Sequence, residues 1–263
     1  MSETIRLFVG CAAWADAESQ SVLEYTARSL SSLPIEIVWM SQAKKGTWGG
    51  WNMAGWKTPF TGYRWAVPSV CNYQGKAIYT DSDFIIRADL AELWRQDVPG
   101  AMMLRDTRGK LQTSAILFDC AKCNGVVPPL AELKAMSGQD KHVRDYLRHH
   151  RELLGQFDGN WNCIDAKGVV NIHDPSIKAI HYSRMEMQPH LAHAKARLAR
   201  EGHQHWYTGP TGPHRSADLM TLFDELLGEA VAAGFTLDRY RTTSPPVFER
   251  SNFTYKHSLV GAS

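Results

Sequence analysis

Asp81 and Asp83 stand one residue apart in "AIYTDSDFII", where an apolar run meets two carboxylates and then turns apolar again. A carboxylate is rarely found inside a protein unless it is paired, hydrogen-bonded or bound to a metal. On a straight strand, positions i and i+2 face the same side. Two hard oxygen ligands there suit magnesium or manganese, with phosphate oxygens completing the shell. The other reading is an acidic turn with solvated side chains, because D-x-D is a short and common pattern.

The elements around this pair must place it at a sheet edge that opens to a ligand. "IRLFVG" reads as a buried strand, "SQSVLEYTARSL" as an amphipathic helix, and "PIEIVWM" as a second strand. That order predicts a βαβ unit and a parallel sheet. "KAIYTDSDFII" then carries a strand to the aspartates, and ligands of open α/β sheets bind at such C-terminal strand ends. "FTGYRWAVPSVC" reads as a short helix stopped near Pro68. "ADLAELW" is a helical turn, "AMMLRD" and "TSAILFD" are strands, residues 140–150 form a helix, and "IKAIHYS" is a further strand. "SADLMTLFDELLGEAVAAG" is a clear helix with Ser216 as its cap and Gly234 as its stop.

Between Ser41 and Pro59 lie four glycines and three tryptophans, Trp48, Trp51 and Trp56, without helical or strand period. Such a loop is more often functional than not. The indoles form either a platform or lid for a ligand, or an ordinary packed cluster. His190, His193, His203, His205 and His214 crowd the last third without a carboxylate or cysteine at ligand spacing, so a structural or substrate-binding role suits them better than a second metal site.

Lysine and arginine total 29 against 27 acids, a net charge of +2, which leaves no electrostatic footprint for nucleic acid. No signal peptide or membrane-spanning run is seen, and a cytoplasmic location follows as an expectation, with peripheral membrane contact left open. Five scattered cysteines read as reduced thiols, and Cys120-x-x-Cys123 lacks the partners of a zinc set.

From about residue 5 to 190 the chain resembles the nucleotide-sugar glycosyltransferases of the GT-A fold, closest to the family-8-like group of glycogenin and the bacterial lipopolysaccharide galactosyl- and glucosyltransferases. The resemblance is carried in order by "IRLFVG", "FTGYRWAVP", "GKAIYTDSDFIIRADLAELW", "LQTSAILFD", "NWN" and "AIHYS". It implies an α/β, Rossmann-like, mixed and mostly parallel sheet flanked by helices. The catalytic domain would span residues 1–190, a helical C-terminal extension 191–241, and an irregular tail 242–263.

The resemblance further implies a retaining, metal-dependent transfer of a hexose from a nucleotide sugar, UDP-hexose foremost, to a glycan or lipid-linked acceptor. A non-catalytic nucleotide-sugar or glycan-binding protein on the same fold is the alternative. Metal ligands would be Asp81, Asp83 and His181, and an imidazole beside two carboxylates suits Mn2+, or Mg2+, better than calcium. Val9, Gly10, Cys11 and Ser82 would border the donor nucleotide. Arg64 would lie near the donor, hold the aspartates by an ion pair, or do both.

Gln112 would touch the donor sugar. Gln139 and Asp140 would sit beneath the anomeric carbon, Asp140 being equally readable as a helix N-terminal acid. Relatives follow the histidine with a glycine and a Lys-Pro-Trp. Here Arg184 replaces that glycine and Gln188-Pro189-His190 stands nearby, so Arg184 is the candidate for the missing positive charge on the diphosphate.

Overall fold

The computed structural model describes residues 3–107, 109–157, 160–165 and 170–241. The tail expected at 242–263 lies outside the described residues. The first strand, β1 (Ile5–Gly10), leads into helix α1 (Ala17–Leu30), which returns the chain to β2 (Ile35–Met40), parallel to β1. After the tryptophan loop come α2 (Val67–Val70) and β3 (Lys76–Asp81), β3 lying parallel to β1 on its other side. The chain then forms β4 (Phe84–Ile86), α3 (Leu90–Trp94), β5 (Met102–Thr107) and β6 (Lys110–Asp119). Next are α4 (Leu130–Ala135), α5 (Gln139–His149), β7 (Leu154–Gly155), β8 (Cys163–Ile164) and β9 (Ala179–His181). Two helices, α6 (Pro189–Arg200) and α7 (Ala217–Ala232), follow.

The main sheet runs β2-β1-β3-β6-β5-β7, with β6 antiparallel to both its neighbours, and a small sheet runs β4-β9-β8. Period-two alternation divides the core between the two faces of the large sheet. Ile5, Leu7, Val9, Ile78, Met103 and Leu117 enter one cluster with Leu23 and Leu93. Phe8, Tyr79, Met102, Leu104, Ile116 and Phe118 enter the other with Trp65, Val143 and Leu147. Being covered on both faces is why β1 is apolar apart from Arg6.

Ser216 caps α7 by accepting from the Leu219 amide, and Gly234, at a φ of +93°, follows its end. Leu219 and Phe223 of α7 close a third cluster with Val22, Ile85, Ile180 and Tyr182. Burial of such side chains contributes about 1.5–3 kcal/mol each, so the C-terminal helices are fastened to α1 and the small sheet. The expected boundary after residue 190 falls inside the first turn of α6.

The short helical run does end near Pro68, though not at it: a 3-10 turn, Tyr63–Ala66, runs straight into α2, which ends at Val70 and carries Pro68 in its first turn. A proline is tolerated there because its missing N–H would have had no partner.

Candidate active site at the junction of two sheets

The aspartate pair sits where the chain leaves one sheet for the other. Asp81 is the last residue of β3, paired with Gly10, and the Ser82 amide donates to the Gly10 carbonyl at 3.0 Å. The chain then turns, so the two aspartates do not share a straight strand. Strand β4 begins in the small sheet with Phe84 opposite His181, and the Tyr182 amide donates to the Asp83 carbonyl at 3.0 Å. Strand register thereby sets Asp83 beside His181. Candidate ligand atoms of Asp81, Asp83 and His181 all lie within 4.8 Å of one another, the one such grouping of His, Cys, Asp and Glu among the described residues.

Each member is oriented from behind. The His181 ring stacks on Phe84, centroids 4.6 Å apart and planes 8° off parallel. Its Nδ1 lies 3.2 Å from Ser114 Oγ, which in turn accepts from Asn162 Nδ2 at 3.0 Å. That leaves Nε2 facing Asp83 Oδ1 at 3.5 Å. Asp81 Oδ1 accepts from the Tyr79 hydroxyl and from Arg64 Nη2 at 3.1 Å. Both bonds fall on Oδ1, so Oδ2 is left for a ligand.

Arg64 is itself 7% exposed and committed. It donates to the Thr61 carbonyl and to Thr113, and it lies 5.0 Å over the Tyr79 ring. The ion-pair reading of Arg64 is therefore the one its contacts describe.

The site is short of positive charge. Burial, and then the neighbouring Asp81, push the Asp83 carboxyl well above its ordinary range. Burial also raises Asp81, against the pull of Arg64. His181 is driven down to about 3 by burial and then by Arg64, which keeps the imidazole neutral and able to ligate. Asp83 Oδ1 is buried without a hydrogen-bond partner. Two close carboxylates, a neutral imidazole and an orphaned oxygen are the donor set of a divalent cation, and these residues fit one.

The remaining predicted residues fall at different distances from this centre. Asp140 lies near enough for its charge to act on Asp81 and Arg64, while its oxygens accept from Trp65 Nε1 and Arg144 Nη1. Gln139 does not. It is fully buried, its Oε1 accepts from Trp56 Nε1 at 2.6 Å, and its Nε2 donates to the carbonyls of Asn52 and Leu133.

Gln112 lies on β6 at the register shift opposite Arg105, two residues before Ser114. Arg184 is half-buried ahead of a 3-10 turn, and among the described residues no hydrogen bond or ion pair holds its guanidinium. The Val9 and Cys11 side chains are fully buried, so only their backbone is open to a ligand. A Cβ at Gly10 would lie 2.5 Å from the Tyr79 hydroxyl and 2.9 Å from Phe60, so that glycine makes room for protein.

The tryptophans are packed. Trp48, Trp51 and Trp56 surround Tyr63 at centroid distances of 5.2, 5.1 and 5.1 Å. The C-terminal histidines are likewise structural in their contacts: His214 meets Asp165 at 3.1 Å, His205 meets Asp16 at 3.4 Å, and His193 meets Asp224 at 2.7 Å. Tyr79, Ser114 and Asn162 fall within the stretches "AIYTDSDFII", "LQTSAILFD" and "NWN", but the sequence assigns none of the three a role; Tyr79 alone has a geometric signal, two residues before Asp81 on the same strand face.

This architecture is the GT-A glycosyltransferase fold: a mostly parallel sheet flanked by helices, as in the solved structures that superpose on it. No protein-family profile matches the chain. Protein CDI of Arabidopsis thaliana is 28% identical over 205 residues, which span 68% of this chain and 77% of that protein. The WbbM bifunctional glycosyltransferase superposes with a TM-score of 0.53 at 12% identity, over 72% of this chain and 47% of its own length. The glycosyltransferase GlyE of Streptococcus pneumoniae TIGR4 gives 0.52 at 14% identity, over 92% of this chain and 66% of its own. LgtC, in an active-site mutant form, gives 0.51 at 12% identity, over 86% and 96%. No helix among the described residues is long and apolar enough to cross a membrane.

Proposed function

We propose that this protein transfers a hexose from a nucleotide sugar, UDP-hexose foremost, to a glycan or lipid-linked acceptor with retention, using Mn2+ or Mg2+. The observation that carries this reading is the convergence of Asp81, Asp83 and His181 from two sheets around an unpartnered, buried carboxylate oxygen. Such an ion, when bound, supplies Lewis-acid stabilisation of the leaving diphosphate.

The chain's own residues do the rest. Arg64 and Tyr79 hold Asp81, and the Ser114–Asn162 pair holds His181. Arg184, with its guanidinium uncommitted among the described residues, pairs with the diphosphate as charge develops on it. The backbone of Val9, Gly10, Cys11 and Ser82 borders the nucleotide, and Gln112 contacts the sugar. Asp140 stabilises the positive charge of an oxocarbenium-like transition state. Gln139, its amide spent on the tryptophan loop, is left out of this assignment.

One observation favours a second reading, a protein that binds a nucleotide sugar without turning it over. Neither Gln139 nor a lysine is available where relatives place such groups. A thermal-shift titration with UDP, GDP and other nucleotides, with and without manganese, tests the first reading on wild type and Asp83→Ala. Ligand that binds only the folded state raises the melting temperature. A manganese-dependent shift lost in Asp83→Ala is expected, and no shift with any nucleotide would sink the proposal. Release of UDP from a hydrolysable donor then separates turnover from binding.

A further inference from the structure

We infer that Gln188 is a positioning residue that presents one oxygen of Asp83 to the cation; the inference rests on the metal site proposed above. Gln188 immediately precedes α6 and is 3% exposed. Its Nε2 donates to Asp83 Oδ2 at 2.8 Å and also to the Tyr182 carbonyl. Both amide hydrogens are therefore spent, one on each of the segments that bring ligands to the site. One segment is the turn between β3 and β4, and the other is the end of β9 just past His181.

The consequence is an asymmetric carboxylate. Oδ2 is occupied by the amide, while Oδ1 is buried, unpartnered, and 3.5 Å from His181 Nε2. A carboxylate held this way keeps its orientation unless the Gln188 bond breaks, and it chelates with both oxygens only by sharing Oδ2 between the amide and the ion. The donor is neutral, so it orients Asp83 without cancelling the charge a cation needs. An ammonium or guanidinium in the same place would neutralise the carboxylate and compete with the ion. Groups that donate to ligating carboxylates tune metal affinity, and their loss weakens it about 10- to 100-fold.

The test is a Mn2+ titration in the presence of UDP, read as the loss of the free-ion paramagnetic resonance signal. The proteins are wild type, Asp83→Ala, Gln188→Met and Gln188→Leu, with melting curves identifying the variants that fold. Met keeps the volume and removes the donor, and Leu is the second variant. The expected result is a dissociation constant raised about 10- to 100-fold in the folded Gln188 variants, with a broadened bound-ion spectrum as Asp83 becomes free to rotate.

A purely structural role would lower the melting temperature and leave the affinity of the folded protein unchanged. That outcome, with manganese still lost in Asp83→Ala, would overturn the role of Gln188 alone. Absence of manganese binding to wild type would overturn the metal site and this inference together.

Discussion

Arg64 shows how one side chain sets the charge balance of a buried site. Its guanidinium is the cation in contact with Asp81, the pair is nearly enclosed, and Thr113 and Thr61 take most of its remaining donors. Removing one partner of a buried pair leaves the other uncompensated, at a cost of about 3–5 kcal/mol. Arg64→Ala should therefore lower unfolding stability by roughly 3 kcal/mol in urea melts, and manganese should restore part of the loss by supplying the missing charge. Asp83→Asn should move stability the other way. It relieves a carboxyl that burial and Asp81 hold well above its usual range. The metal-free melting temperature is expected to rise while the manganese-dependent shift disappears, both read in the same thermal scan.

At the scale of elements, what the sequence shows and what it conceals follow from whether a signal is local. Strand β1 and helix α7 were legible because burial imposes a period on neighbouring residues, and the cap at Ser216 is written beside the helix it starts. The tryptophan loop reads from sequence equally as a platform or as a packed cluster, because its partners are distant in the chain: Trp56 is held by Gln139, and Tyr63 donates to the Trp48 carbonyl. The contacts of Gln139 are hidden for the same reason, since its place at the start of α5 says nothing of an indole 83 residues away. The grouping of the aspartates with His181 follows from family order, whereas Ser114, Asn162 and Gln188 stand in the same stretches with no contact assigned, because outer contacts are made by geometry across strands. Gly62 tests the loop directly. A Cβ there would lie 2.5 Å from the Trp56 ring, so Gly62→Ala should cost about 1–3 kcal/mol and shift the tryptophan fluorescence.

Over the whole molecule, buried histidines make the fold sensitive to acid. His190 is pushed down to about 4 by burial, with Asp16 opposing and His205 and His193 reinforcing the shift. In the unfolded chain it titrates near 6.5. The folded value is the lower one, so the unfolded state takes up the proton first. Stability held by the neutral ring is present above about pH 6.5 and is lost as pH falls from there toward 4. Urea melts at about pH 7.5 and about pH 5 should differ by roughly 1–2 kcal/mol from this group, and His190→Phe should narrow the gap.

The candidate site also spans a seam. Asp81 belongs to the six-stranded sheet, His181 to the three-stranded one, and Asp83 lies on the short turn between them. An ion gripped by all three is a rivet as well as a reagent: it adds a further tie between two sheets already joined by side-chain packing, by the Ser114–His181 hydrogen bond and by three crossings of the chain. Loading it should slow amide hydrogen exchange along β4 and β9, well beyond the ligands themselves, while leaving the exchange of β1 and β2 unchanged. A donor nucleotide that completes the shell would then find an already stiffened wall, so that part of its affinity is set before it arrives.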